Sequence, residues 1–260
     1  SMADLPAGTG LGSSSAYLVG LLTALHHYRR EYVTLQELAE EACHIELDVL
    51  GKGIGKQDQY MAAFGGLTVL EIEPSGAVRV RPVALSSTAV DEFTASTHLY
   101  YTGLRRNAVD VLKEQDTALK RPAESSARVE SALLEIRELG QRILAAVESE
   151  DFEGWGRLLH EHWSQKKRLS SKVTLPHIDE LYEHVRREYG VLGGKIVGAG
   201  GGGFLMLYAP QRRRELERFM REQGMPRLHY RLEPEGSKVI ANLASVFTAG
   251  DRHAGLEVRP

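Results

Sequence analysis

The chain has little cysteine, no long apolar run and no dominant charge, and each shortage removes a class of function. One cysteine in 260 residues, Cys43, excludes an intrachain disulfide and any cysteine-rich zinc site. It lies in a helical pattern beside Ala42 and Ile45 and reads as a buried structural thiol rather than a nucleophile. No apolar stretch reaches the roughly 20 residues of a membrane-spanning helix, and no signal peptide opens the chain, so no membrane is expected as a partner and the cytoplasm is the expected compartment. A formal net charge of -3, with no basic stripe interleaved with aromatics, argues against nucleic acid as a partner. The Gln211-Arg212-Arg213-Arg214 run reads as a solvated helix start. Ten histidines are present but scattered: His160-Glu161-His162 lacks the i, i+4 spacing of a helical zinc motif, and His26 and His27 fall on different helix faces. A Walker loop is missing too, since no Gly-x-x-x-x-Gly-Lys-Ser/Thr occurs. With 42% hydrophobic and 26% charged residues, the chain is long enough for a buried core in one large domain or two smaller ones.

What is present begins with Leu5-Pro6-Ala7-Gly8-Thr9-Gly10-Leu11-Gly12-Ser13-Ser14-Ser15-Ala16. Three alternating glycines let the backbone turn its N–H groups toward one point, and the helical pattern that follows adds unpaired donors and a partial positive charge. This is an anion cradle, with phosphate the expected guest. The bland alternative is a glycine-rich turn capped by serine.

The rest of the chain alternates helical and extended patterns. Leu18, Leu21, Leu22 and Leu25 repeat at helical spacing to about Arg30, and Thr34-Leu35-Gln36-Glu37 is a capping box opening a helix to about Leu50. Gly51, Gly53 and Gly55 break that helix and deliver Lys56-Gln57-Asp58-Gln59-Tyr60 to the start of a short one. A carboxylate between two amides and near a lysine suits a general base or charge anchor; equally, Asp58 would serve the helix dipole. Leu67–Ile72 and Val78–Val83 read as strands paired around Pro74-Ser75-Gly76, and His98–Gly103 as another strand. Arg105 and Arg106 then open a helix to about Leu119, where they would either hold a substrate phosphate or form a solvated helix end. Helical patterns dominate from Pro122 to about Arg168, with Trp155, Leu158, Leu159 and Trp163 as a core stripe, and Pro176 opens a helix to about Tyr189. A second glycine run, Gly193 to Gly203, formally contains Gly198-x-Gly200-x-x-Gly203, but an apolar strand follows where the dinucleotide fingerprint requires a helix. A helix near Arg212–Gly224, strands near Arg227–Glu233 and Ser237–Ile240, and a loose tail close the chain.

Taken together, Pro6 to Ala16 and Gly198-Ala199-Gly200-Gly201-Gly202-Gly203-Phe204 resemble the second and third signature motifs of the GHMP small-molecule kinases. The stretch from Gly55 to Gly66 resembles the branch acting on D-glycero-D-manno-heptose 7-phosphate, supported by Ala42–Glu46, Tyr101-Thr102-Gly103 and Glu233–Ser237. The resemblance implies an α/β (α+β) fold: a ribosomal protein S5-like N-terminal ATP-binding domain over 1–95, a ferredoxin-like C-terminal domain over 96–240, and a tail over 241–260. It also implies ATP and Mg²⁺ as cofactors and a sugar phosphate as substrate, and it is compatible with a homodimer. By the same resemblance, Pro6, Gly8, Gly10, Leu11, Gly12, Ser13, Ser14 and Ser15 would wrap the ATP phosphates, Ser14 also holding Mg²⁺, with Gly200, Gly201 and Gly202 supporting that loop. Asp58 would take or orient the proton of the sugar hydroxyl, Lys56 would steady developing charge, and Gln57, Arg105 and Arg106 would contact the sugar phosphate. The family's first motif, a glycine-rich stretch with an aspartate, lies before the phosphate loop, where this sequence has only Ser1 to Leu5. That implies a lacking N-terminal segment, and it keeps two alternatives open: a kinase for another sugar, and a non-catalytic nucleotide-binding fragment.

Overall fold

A computed structural model describes residues 8–104, 111, 114, 117 and 123–242. Pro6, Arg105 and Arg106, and the tail from residue 243 on, lie outside the described residues.

The first lobe is built by helices whose apolar faces meet. Helix α1 (Ser13–Arg29) buries Val19 and Leu22, while Leu21 and Leu25 of the same apolar repeat face outward. Helix α2 (Leu35–Cys43) starts at the expected capping box: Thr34 accepts from the Glu37 N–H, and Glu37 accepts from the Thr34 N–H. Losing such a cap costs about 1 kcal/mol. The helix continues into a π-helical turn, His44–Val49, closed by the Leu50 N–H bond to the Ile45 carbonyl. That widened turn is a frequent device at functional sites, because it re-aims side chains. Helix α3 (Gln57–Phe64) and the antiparallel hairpin of β1 (Thr68–Ile72) and β2 (Val78–Pro82) complete the lobe. Its core is Val19, Leu22, Leu38, Ala39, Ala42, Cys43, Tyr60, Ala63 and Val78. Burial pushes the Cys43 thiol up to about 11, which matches an inert core group.

Helix α4 (Ser87–Ser96), which the sequence pattern did not announce, packs Ala89 against Leu139 and Phe152 of the second lobe. There β3 (Thr97–Tyr101), β4 (Gly193–Ile196), β5 (Phe204–Tyr208) and the short β6 (Arg227–Leu228) form an antiparallel sheet in the order β4-β5-β3-β6. Between β3 and β4 run α5 (Ala123–Glu148), α6 (Phe152–Leu169) and α7 (Pro176–Tyr189); α8 (Arg213–Glu222) links β5 to β6. This split β-α-β order is ferredoxin-like, as expected. The Trp stripe is core: Trp163 is 1% exposed, and Trp155 meets Tyr208 edge-on. The expected strand at Ser237–Ile240 is not one. That segment instead lays the Ser237 N–H on the Ala62 carbonyl at 2.9 Å, at the C-terminal end of α3. Among the described residues no helix is long and apolar enough to cross a membrane.

Candidate active site

The phosphate loop is shaped by φ. Gly8, Gly10 and Gly12 have φ of 79°, 81° and 67°, the left-handed region that side chains disfavour. Gly12 is the N-cap of α1 and offers no side-chain cap, and no acidic residue occupies the first turn. The first backbone N–H groups of α1 therefore remain available, at its positive end, to an anion.

The second glycine run holds this loop from behind. A Cβ on Gly203 would overlap the Thr9 carbonyl, and one on Gly198 would stand 3.0 Å from the Gly10 oxygen. One on Gly10 would stand 3.1 Å from the Val197 oxygen. Backbone meets backbone here, and side chains would wedge the loops apart. The residues that touch the phosphate loop are thus Val197, Gly198 and Gly203, which flank the expected Gly200, Gly201 and Gly202. Gly201 donates its N–H to the Val173 carbonyl at 2.6 Å, Gly200 packs on Val173, and Gly202 on Leu104.

Glu46, on the π-helical turn, is the hub of the site although only 1% of it is exposed. Its Oε1 accepts from Ser14 Oγ at 2.8 Å and Lys52 Nζ at 2.7 Å, and its Oε2 from Ser15 Oγ at 2.5 Å and Gln59 Nε2 at 2.6 Å. Burial works to raise its pKa, but the hydrogen bonds from Lys52, Ser15 and Ser14 outweigh it and hold the carboxyl below the usual range. Lys52 Nζ also donates to Ser14 Oγ at 2.8 Å, so one ammonium bridges Ser14 and Glu46. Ser14 and Glu46 thus present two oxygen atoms that share one ammonium beside the anion cradle. The family resemblance names Ser14 as a site residue and does not name Glu46. The signal was a charge on the stripe Leu38, Ala39, Ala42 and Cys43, one further step along the buried face of its helix.

Asp58, in the first turn of α3, stands at the rim of the cradle. A Cβ on Gly12 would lie 3.1 Å from its Cγ and 3.3 Å from Oδ2. Its carboxylate has no hydrogen bond or ion pair among the described residues, and the protein around it, then the Glu46 charge, raises its pKa. Lys56 turns elsewhere, donating to the Gly76 carbonyl in the β1–β2 hairpin at 2.6 Å. Gln57 is exposed beside Gly55. The far end of α3 is clamped from the second lobe: Gly66 N–H bonds the Glu233 carbonyl at 2.8 Å, and the backbone of Glu235 and Gly236 packs against Gly65. This contact fixes the helix that carries Asp58.

The site thus joins an anion cradle, a buried glutamate that gathers Ser14, Ser15, Lys52 and Gln59, and a carboxylate with no hydrogen bond among the described residues. The family model described as GHMP kinases N terminal domain matches residues 2–66, and that described as GHMP kinases C terminal matches 143–224. A D-glycero-alpha-D-manno-heptose 7-phosphate kinase of Campylobacter jejuni is 32% identical over 223 residues, covering 85% of this chain and 64% of that protein. An L-fucokinase/L-fucose-1-P guanylyltransferase of Bacteroides fragilis is 31% identical over 80% of this chain and 22% of its own length. A solved D-glycero-D-manno-heptose 1-phosphate kinase of Bacteroides thetaiotaomicron superposes with a TM-score of 0.64 at 27% identity, over 92% of this chain and 66% of that one. The chain therefore spans under two thirds of the length of each of these relatives. Two matched domains, their order and their packing around one phosphate loop place this chain in the GHMP kinase family.

Proposed function

We propose that this chain carries the catalytic side of an ATP-dependent sugar kinase that phosphorylates the anomeric hydroxyl of D-glycero-D-manno-heptose 7-phosphate. The observation that carries the reading is Asp58, unpaired and with a raised pKa, packed on Gly12 of the phosphate loop. Phosphoryl transfer asks for positioning and charge neutralisation more than covalent help. The α1 N-terminus with Gly8, Gly10 and Gly12 holds the phosphates, and Asp58 receives or orients the proton of the attacking hydroxyl. Ser14 and Glu46 would hold Mg²⁺, which when bound neutralises phosphate charge. The reading places the protein in the cytoplasm, where ATP is supplied.

The 32% identity to the heptose kinase favours heptose, and the 31% identity to the fucokinase supports a second reading, a kinase for another sugar. ATP consumption measured with heptose 7-phosphate beside galactose, fucose and mevalonate separates them. A clear preference for heptose 7-phosphate is expected, and equal or better turnover of fucose would displace the heptose assignment. Binding of ATP without transfer to any acceptor would make the chain a nucleotide-binding fragment.

A further inference from the structure

The β4–β5 loop that braces the phosphate cradle carries a second group of cations on its other flank. His162 and Lys166 lie at i and i+4 on α6, hence on one face of that helix. Strand β4 packs closely on α6: a Cβ on Gly193 would overlap the Gly156 carbonyl and lie 2.8 Å from the His160 nitrogen. Lys195, two residues along, leaves β4 on that same face.

Neighbouring cations on α6 are paired. Lys167 bonds Asp179 at 3.1 Å and Arg168 bonds Glu135 at 3.1 Å. The cluster is different. Lys166 Nζ donates to the carbonyl of Gly198, and among the described residues Lys195 has no hydrogen bond or ion pair and the buried His162 Nδ1 has no hydrogen-bond partner. The groups also disturb one another. Burial first, and then the Lys195 charge, lower Lys166 to about 7. Burial, then Lys195 and Lys166, lower His162 to about 4. No carboxylate contributes to either shift. Two half-buried lysines near enough for one charge to act on the other, with no carboxylate paired to either among the described residues, are unfavourable unless an anion joins them.

Position indicates which anion. Gly198, which accepts from Lys166, is the residue whose Cα faces Gly10 of the phosphate loop. The cluster is therefore one residue removed from the cradle, outside the Ser14–Glu46–Asp58 group. We propose that Lys166 and Lys195, with His162 beside them, form an oxyanion subsite that takes a phosphate group of a reactant. This rests on the kinase reading, and the phosphate belongs either to the sugar phosphate or to the nucleotide.

The test uses Lys195→Met and Lys166→Met, with Lys195→Arg as the charge-keeping control and circular dichroism to verify folding. Isothermal titration with heptose 7-phosphate and with ATP, separately, reads binding without turnover. Loss of a charge-assisted contact is expected to weaken one of these ligands by about tenfold or more in Lys195→Met, with Lys195→Arg retaining most of the affinity. Weakening confined to heptose 7-phosphate assigns the sugar's phosphate, and weakening confined to ATP assigns the nucleotide's. Affinities within about twofold of the parent for both ligands in both Met variants would overturn the subsite. Turnover in the parent protein is scored independently: if it persists while the affinities do not move, the kinase reading stands and the subsite falls. If Lys195→Met does not fold, the decision rests on Lys166→Met, whose ammonium reaches the same loop.

Discussion

Asp58 and Gly12 occupy the same corner of the site: a single methyl on Gly12 would press against the Asp58 carboxylate, 3.1 Å from Cγ. The phosphate loop and the carboxylate are therefore adjusted to each other, and either can be perturbed through its partner. Gly12→Ala meets two penalties, a φ of 67° and that contact. The conformational part is about 1–2 kcal/mol. Turnover is expected to fall by about tenfold or more through the displaced carboxylate, whereas Asp58→Asn, which keeps the shape, lowers kcat by about a hundredfold or more with ATP affinity held within about twofold. Steady-state kinetics with ATP titration checks both; unchanged kcat in Asp58→Asn removes Asp58 from proton transfer.

The raised pKa of Asp58 has a consequence for stability. Asp58 keeps solvent exposure, yet the protein packed around it, then Glu46, make its ionised form less favourable in the folded chain than in the unfolded one, by an amount that solvent screening reduces. Folding therefore takes up proton at this site, and the ionised carboxylate lowers stability at pH values above its folded pKa. Asp58→Asn is expected to raise Tm at pH 7, and the gain should vanish as pH drops below the ordinary aspartate range, where both forms are protonated. Thermal melts across that window test it. A parent protein equally stable to, or more stable than, the variant at pH 7 contradicts the assigned direction.

Lys52 donates to both Ser14 and Glu46, and in the proposed kinase its ammonium stands where Mg²⁺ would bind. Lys52→Met leaves Glu46, with 1% of its surface exposed, without its counter-charge, a loss of about 3–5 kcal/mol for a fully buried pair and less here because Lys52 is 35% exposed. Millimolar Mg²⁺ is expected to restore part of the lost Tm in Lys52→Met and to do less for the parent, since the metal then supplies the missing charge. Differential scanning fluorimetry with and without Mg²⁺ reads this directly. An equal Mg²⁺ response in both proteins would argue against a cation site at Ser14 and Glu46.

Gly203 and Gly190 make a controlled pair. Both have positive φ, 86° and 69°, yet a Cβ on Gly203 overlaps the Thr9 carbonyl while one on Gly190 meets nothing within 4 Å. Gly190→Ala should cost about 1 kcal/mol of stability and leave ATP affinity alone. Gly203→Ala must also separate the two glycine loops, so it should weaken ATP binding by about tenfold or more besides destabilising the fold. Equal ATP affinities in the two variants would dissociate the loop contact from nucleotide binding.

Much of this architecture is local and was legible. Alternating glycines are required where the backbone adopts positive φ, as at Gly8, Gly10 and Gly12. The Thr34–Glu37 box marks a helix start because both hydrogen bonds close within three residues. Periodicity separated helices from strands, with Trp155, Leu158, Leu159 and Trp163 buried at their helical spacing. It failed at Ser237–Ile240, where alternation is too short to distinguish a strand from a clamp on α3.

By itself, then, the sequence determined where the chain turns, where its helices begin and which short loops present bare N–H groups, because these depend on neighbours within a few residues. The tertiary structure alone decided that Glu46 gathers Ser14, Ser15, Lys52 and Gln59, partners as far as 32 positions away. It also decided that Lys56 turns to Gly76, that Val197, Gly198 and Gly203 touch the phosphate loop, and that the Lys195 charge acts on Lys166. Hydrogen bonds and charges act over a few ångströms of space whatever the distance along the chain. Only the packing of one lobe against the other sets which groups come within that reach.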